Sequence, residues 1–170
     1  MVEVSSSTYD PDGDVTATTE YVDSNPADGR TSLYGYDWQD RQVFAVNPPG
    51  AQGNVTYTTT TYDNLGEPTE TQTFLEASPG TVAPATDQLL AQSTTACDTL
   101  GQVYESSTYV VSGGSVASTQ TTDTWYDADG NTVALEDPDA NVTTWAYDAL
   151  GDQTQSTVGQ VLTCPSGRCV

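Results

Sequence analysis

With 24 Asp and Glu, three Arg and neither Lys nor His, general acid–base work in this chain would fall to carboxylates. A paired-carboxylate glycosidase is the enzyme class that remains open. Acids this numerous pair by accident, and most lie in turn sequences, so the chain reads as non-catalytic. Calcium is the better chemical candidate. Asp10, Asp12 and Asp14 alternate, as do Asp127, Asp129 and Asn131, and Asp137, Asp139 and Asn141, and alternating oxygens could converge on a hard cation. The plainer alternative is solvated turns, because Gly13 and Gly130 stand fourth in their motifs where a calcium loop has glycine sixth. Cys164 and Cys169 enclose a turn-forming Pro-Ser-Gly-Arg insert, which suits either a disulfide in an oxidising compartment or two thiols in a frayed tail. Cys97 reads as a small buried apolar residue. Asn54-Val55-Thr56 and Asn141-Val142-Thr143 fit the N-glycosylation triplet.

The elements that must carry these residues are constrained by composition. Leu, Val and Phe make up 28 of 170 residues and Ile is absent, a fraction that with a net charge of −21 borders on disordered chains. Against this stand 29 Thr, 10 Tyr and three Trp, residues that fit a pleated, half-buried surface. A folded form is therefore β-sheet. Three scattered arginines, Arg30, Arg41 and Arg168, cannot neutralise a row of phosphates, which excludes nucleic acid as a partner. No apolar run is long enough to span a bilayer as a helix, and residues 1–9 lack the pattern of a signal peptide. Charge of this density must be managed by salt, divalent ions or hydration, which points to an extracellular or cell-surface setting.

Internal repetition is the strongest feature. Six segments share one template: YDPDGDVT from Tyr9, YDWQDRQV from Tyr36, YDNLGEPT from Tyr62, CDTLGQVY from Cys97, YDADGNTV from Tyr126 and YDALGDQT from Tyr147. An aspartate opens a tight turn and a glycine three residues later takes positive φ to launch the returning strand. The pairs are Asp10/Gly13, Asp63/Gly66, Asp98/Gly101, Asp127/Gly130 and Asp148/Gly151. The second copy has Asp37 with Asp40 in the glycine position, and the fourth has Cys97 in place of tyrosine; both turns are expected to be distorted or differently packed. Opposing turns of variable length are expected at 25–29, 48–53, 76–87, 112–115 and 137–141, giving about a dozen strands in an antiparallel meander across residues 1–162, followed by a tail at 163–170. The stretch from Thr86 to Gln92 is the one helix candidate, as a single turn or a loop.

These copies, above all YDADGNTVALEDPDANVTTWAYDALG from Tyr126 to Gly151, resemble the YD repeats of the RHS family. The resemblance implies long strands joined by tight turns and spiralling into a hollow shell, as in bacterial toxin-encapsulating cages and teneurin-like barrels. The arginine that often follows the glycine in that family is replaced by Asp14, Glu67, Gln102, Asn131 and Asp152. The family's self-cleaving aspartyl core has no counterpart; Asp137-Pro138 resembles its dipeptide but continues an ordinary repeat. Six repeats are too few for a closed cage. The expectation is a non-catalytic extracellular structural subunit that assembles with itself, end to end, into a filament, tube or appendage, because uncapped strand edges seek partners. The alternatives are a fragment of an RHS-type toxin-enclosing shell and a glycan-binding adhesin in which the aromatics form a sugar platform. No cofactor is expected apart from the calcium candidate.

Overall fold

The computed structural model describes residues 5–21, 28–50, 52–77 and 82–159. Twelve strands follow one another in chain order as a single antiparallel meander, and no α-helix occurs among the described residues. The strands are β1 (Ser5–Tyr9), β2 (Val15–Tyr21), β3 (Gly29–Tyr36), β4 (Gln42–Val46), β5 (Thr56–Tyr62), β6 (Pro68–Leu75), β7 (Gln88–Cys97), β8 (Val103–Ser112), β9 (Ser115–Tyr126), β10 (Thr132–Glu136), β11 (Val142–Tyr147) and β12 (Gln153–Val158).

Thr86 to Gln92, expected as a single turn or a loop, is a turn only at Thr86 and Asp87 and is strand from Gln88. The Thr86 and Asp87 N–H groups close a turn onto the Ala83 carbonyl at 2.9 and 3.0 Å, and β7 begins at Gln88. Leu, Ala and Gln favour helix locally, but seven residues cannot hold one alone, and the sheet supplies the backbone partners instead.

Two compact units divide the chain: Met1–Ser93 with Val110–Ala117, and Thr94–Tyr109 with Ser118–Val170. The first contains a small apolar cluster. Val46, Tyr57 and Phe74 face one another directly across β4, β5 and β6, and Phe44, Val55 and Leu89 pack around them. Tyr57 is fully buried, with its ring stacked on that of Phe74 at 5.2 Å between centroids. Gly35 lies opposite Phe44, where any Cβ would overlap the aromatic ring. In the second unit the buried residues are Ala134, Val142 and Ser107, and the Ser107 hydroxyl is 2.8 Å from that of Thr121.

Threonine does much of the remaining cross-strand work. Hydroxyl pairs join Thr8 to Thr16 at 3.0 Å, Thr19 to Thr31 at 2.8 Å, Thr58 to Thr73 at 3.3 Å and Thr61 to Thr69 at 3.1 Å. Such pairs stabilise a sheet that has little oil to bury.

Candidate functional site

The repeated turn is where sequence and geometry agree most closely. In each copy the aspartate N–H donates to the carbonyl four residues on, the fourth residue's N–H returns to the aspartate carbonyl, and the aspartate Oδ1 accepts the N–H groups two and four residues ahead. For Asp63 the side-chain bonds come from Leu65 at 2.8 Å and Glu67 at 2.9 Å. Asp10, Asp37, Asp98, Asp127 and Asp148 repeat the arrangement within 2.8–3.1 Å. Aspartate is required because its short carboxylate caps two donors that the turn leaves unpaired. At Gly13, Gly66, Gly101, Gly130 and Gly151, φ is +80 to +98°.

The two irregular copies correct the expectation of distortion. Asp40 takes φ of 60° and closes the same turn, its N–H 3.1 Å from the Asp37 carbonyl; Asp is among the non-glycine residues that tolerate this region. The fourth copy, expected to be distorted or differently packed because Cys97 replaces its tyrosine, has a regular turn too. Gly101 takes φ of 80°, its N–H donates to the Asp98 carbonyl at 3.1 Å, and the Asp98 N–H donates to the Gln102 carbonyl at 2.9 Å. The turn is closed by Asp98 and Gly101 themselves, so the side chain before them does not shape it. A seventh copy lies in an opposing turn: the Asp137 Oδ1 accepts from Asp139 and Asn141 at 2.9 Å each, with Ala140 at φ 62°. The Gly50 to Asn54 turn has the same backbone bonds, at 2.9 and 2.8 Å, without a carboxylate. Sequence reading missed the seventh copy because alanine stands where glycine signals the turn.

The calcium candidates are arranged as turn caps. The Asp127 carboxylate receives the Asn131 amide at 3.0 Å, and Asp137 receives that of Asn141 at 2.9 and 3.1 Å, so a donor occupies the place where a cation needs an oxygen. Asp10 accepts from Asp12 and Asp14 N–H. Among the described residues no three Asp, Glu, Cys or His side chains form a group able to hold a metal. These bonds set the acidities. The Arg41 side chain holds Asp37 below the usual aspartate range; the Glu67 N–H does so for Asp63, and the Asn131 and Asn141 amides for Asp127 and Asp137. Asp14 is raised by desolvation and then by the nearby Asp40, Asp10 and Asp12 charges.

Four of the five tyrosines that precede a turn aspartate have a second role, unseen in the sequence. The Tyr36 hydroxyl donates to the Val15 carbonyl at 3.0 Å, Tyr62 to Gln42 at 2.9 Å, Tyr126 to Val103 at 2.8 Å and Tyr147 to Thr132 at 2.9 Å. Every acceptor lies six residues after the aromatic position of the preceding repeat, so the phenol fastens one hairpin to the one before it. The register is equally constant. Continuing the pairing of β2 with β3, β4 with β5, and β10 with β11 places Tyr36 level with Asp14, Tyr62 with Arg41 and Tyr147 with Asn131. Within each of the five hairpins that carry a tyrosine, a bulge at that tyrosine inserts one extra residue in the returning strand, as where Tyr9 faces Val15 but Thr8 faces Ala17. Desolvation and the Asp14 charge push the Tyr36 phenol above its usual range.

Two further contacts were not anticipated. Arg41 follows the Asp40 turn in the position that is acidic or neutral in the other copies. It pairs with Asp37 at 2.7 Å, donates to the Asp63 carbonyl at 2.9 Å, and lies 4.7 Å over the Tyr62 ring. Tyr57 donates its hydroxyl to Asp87 Oδ2 at 2.7 Å, and the Asp87 carboxylate also accepts the Ala77 and Ala83 N–H groups at 2.9 Å. Those bonds, Ala77 first, lower Asp87, while burial raises Tyr57. An open groove of about 400 Å³ in the first unit is lined by Leu33, Tyr34, Phe44, Val46 and Val55 among others. Asn54 and Asn141 of the glycosylation triplets are exposed, and Cys97 is half-buried. Cys164 and Cys169 lie outside the described residues.

Comparison with known proteins agrees with this geometry. Residues 126–160 match the RHS Repeat family model, the stretch that carries the fifth and sixth copies. No curated protein matches the sequence. Among solved structures, TcdB2-TccC3-Cdc42 is similar at 14% identity and TM-score 0.50, over 92% of this chain and 9% of that one. TcdB2-TccC3 is similar at 15% identity and TM-score 0.49, over 92% and 9%. A mutant of the Photorhabdus luminescens Tc holotoxin pore is similar at 14% and 0.37, over 89% and 11%. The chain thus spans about a tenth of the length of these structures, and the first likeness is one of fold. Residues 126–160 thus match an RHS repeat, and the described residues form an all-β meander.

Proposed function

We propose that this chain is a wall segment of an RHS-type shell, a non-catalytic extracellular sheet whose task is to enclose. The observation that supports it most is the recurrence of one junction between hairpins: the phenol-to-carbonyl bond occurs at four of the five, and one register at three, with examples in both units. Such a rule extends a wall hairpin by hairpin and builds no convergent reactive centre. The resemblance to toxin-encapsulating RHS cages makes a toxin-related polypeptide the natural cargo. Electron microscopy of the polypeptide from its source, with its mass measured, tests this: a hollow β-walled particle is expected, and a solid globule would overturn the reading.

A second reading, a filament of identical chains, is favoured by the outer edges of β1 and β12, which end the strand order. Exposed strand edges pair with other chains unless blocked. Long fibres formed by the purified chain would favour it over a shell.

A further inference from the structure

The internal junctions prescribe how one more hairpin would join. At three of them, β2 with β3, β4 with β5 and β10 with β11, the strand that ends in tyrosine lies antiparallel to the returning strand of the preceding repeat, with tyrosine level with the residue five places after the earlier aromatic and its hydroxyl on the sixth. Applied after Tyr147, the rule calls for a tyrosine level with Asp152, bonded to the Gln153 carbonyl. β12, which starts at Gln153, is exposed along nearly its whole length. At the other end of the array, β1 terminates in Tyr9, which is 63% exposed. Its phenol has no partner among the described residues. β1 also runs in the required direction, toward its tight turn, whereas β12 runs away from its own.

We propose that β12 of one molecule binds β1 of a second copy in this register. Tyr9 of the second copy then stands level with Asp152, Thr8 with Gln153, Ser7 with Thr154, Ser6 with Gln155 and Ser5 with Ser156, and the Tyr9 hydroxyl donates to the Gln153 carbonyl. The contact is heterologous, using different patches on the two partners, so it leaves a β1 and a β12 edge open for further copies. It continues an interface that the chain already makes within itself, which is why the occupant is another copy. The proposal rests on the filament reading, in which the β1 and β12 edges meet other copies; in a wall segment the same register would be filled by the next hairpin of the same polypeptide.

The test uses the full chain with its three cysteines changed to Ser, its fold checked by circular dichroism, in about 1 M salt to shorten the range of acid repulsion to about 3 Å. Molecules carrying Ser7→Cys are mixed with molecules carrying Thr154→Cys and oxidised; a mixed disulfide is expected. Ser7→Cys with Ser156→Cys, two residues out of register on the same side of the strand, is expected to give none. Sedimentation of the otherwise natural chain should show association that Tyr9→Phe weakens about fivefold, the effect of one lost hydrogen bond. Cross-linking of only the shifted pair would overturn the register. A monomer at every concentration would overturn the association, while the particle seen by microscopy would still decide the shell reading.

Discussion

The two units obey the same hairpin rule but differ in what lies between the hairpins. In the first, two phenol bonds, from Tyr36 and Tyr62, accompany a stacked Tyr57 and Phe74 beside Val46, and Asp87 secures the following loop. In the second, Tyr126 and Tyr147 make the same bonds, yet the buried residues are Ala134, Val142 and Ser107. The repeat therefore specifies a sheet largely through turns, phenols and cross-strand hydroxyls, and an aromatic core is an addition made where a local row of strands permits it. The second unit opens with the copy whose tyrosine position is Cys97, which has no phenol to offer, although its Asp98 to Gly101 turn is as regular as the others.

The comparison breaks most clearly at Phe74. Phe74→Ala should destabilise the first unit by about 3 to 5 kcal/mol through lost burial and a cavity. Segment-resolved hydrogen exchange should then show faster exchange in β4 to β6 with β10 to β12 unchanged; equal loss in both would mean the units unfold as one. A smaller and symmetrical effect is expected at the turns. Gly66→Val and Gly151→Val force a branched residue to φ near 91 and 83° and should each cost about 1 to 2 kcal/mol, read as a lowered melting temperature. Unchanged melting would sink the turn assignment.

The phenol bonds sharpen the comparison further. Tyr36→Phe and Tyr147→Phe should each cost about 1 kcal/mol, with similar denaturant-midpoint shifts for the local unit, because both bonds bridge the same type of junction. If one shift is several times the other, the shared rule is wrong. The smallest effect concerns acid. Asp37, Asp63, Asp87, Asp127 and Asp137 have folded values lowered from 3.8, so their stabilisation is complete above that pH and is lost as pH falls through the lowered values. Asp14, raised, acts in the opposite sense in the first unit. In molar salt, where overall repulsion is screened, amide protection around these five carboxylates, measured relative to the unfolded chain at the same pH, should fall below about pH 4; protection that rises on acidification would contradict the capping role.

Much of the fold was legible because its signals are local. The Asp-to-Gly spacing marks five turns by the φ that glycine tolerates, and the strands from Val103 and from Val142 begin where the turn reading places them. Three features were not legible. The Asp137 turn lacks its glycine, so the turn expected at 137–141 was not grouped with the copies, although its Asp137, Asp139 and Asn141 spacing repeats that of Asp127, Asp129 and Asn131. Thr86 to Gln92 has helix-forming residues whose preference a neighbouring strand overrides. Arg41 looks like a stray cation until the next hairpin brings Tyr62 and the Asp63 carbonyl within reach. The candidate calcium oxygens were visible as a pattern, but only folding shows that backbone N–H groups and asparagine amides already face them.

Taken alone, the order of residues determined an all-β chain folded back at regular aspartate turns, because turn conformation depends on a few adjacent residues and threonine-rich segments suit a pleat. Tertiary structure decided which carbonyl each tyrosine reaches, which of the many aromatics become buried, and how the hairpins divide between two units. Those outcomes depend on register across strands some 15 to 23 residues apart in sequence, and no local preference encodes a distance of that kind.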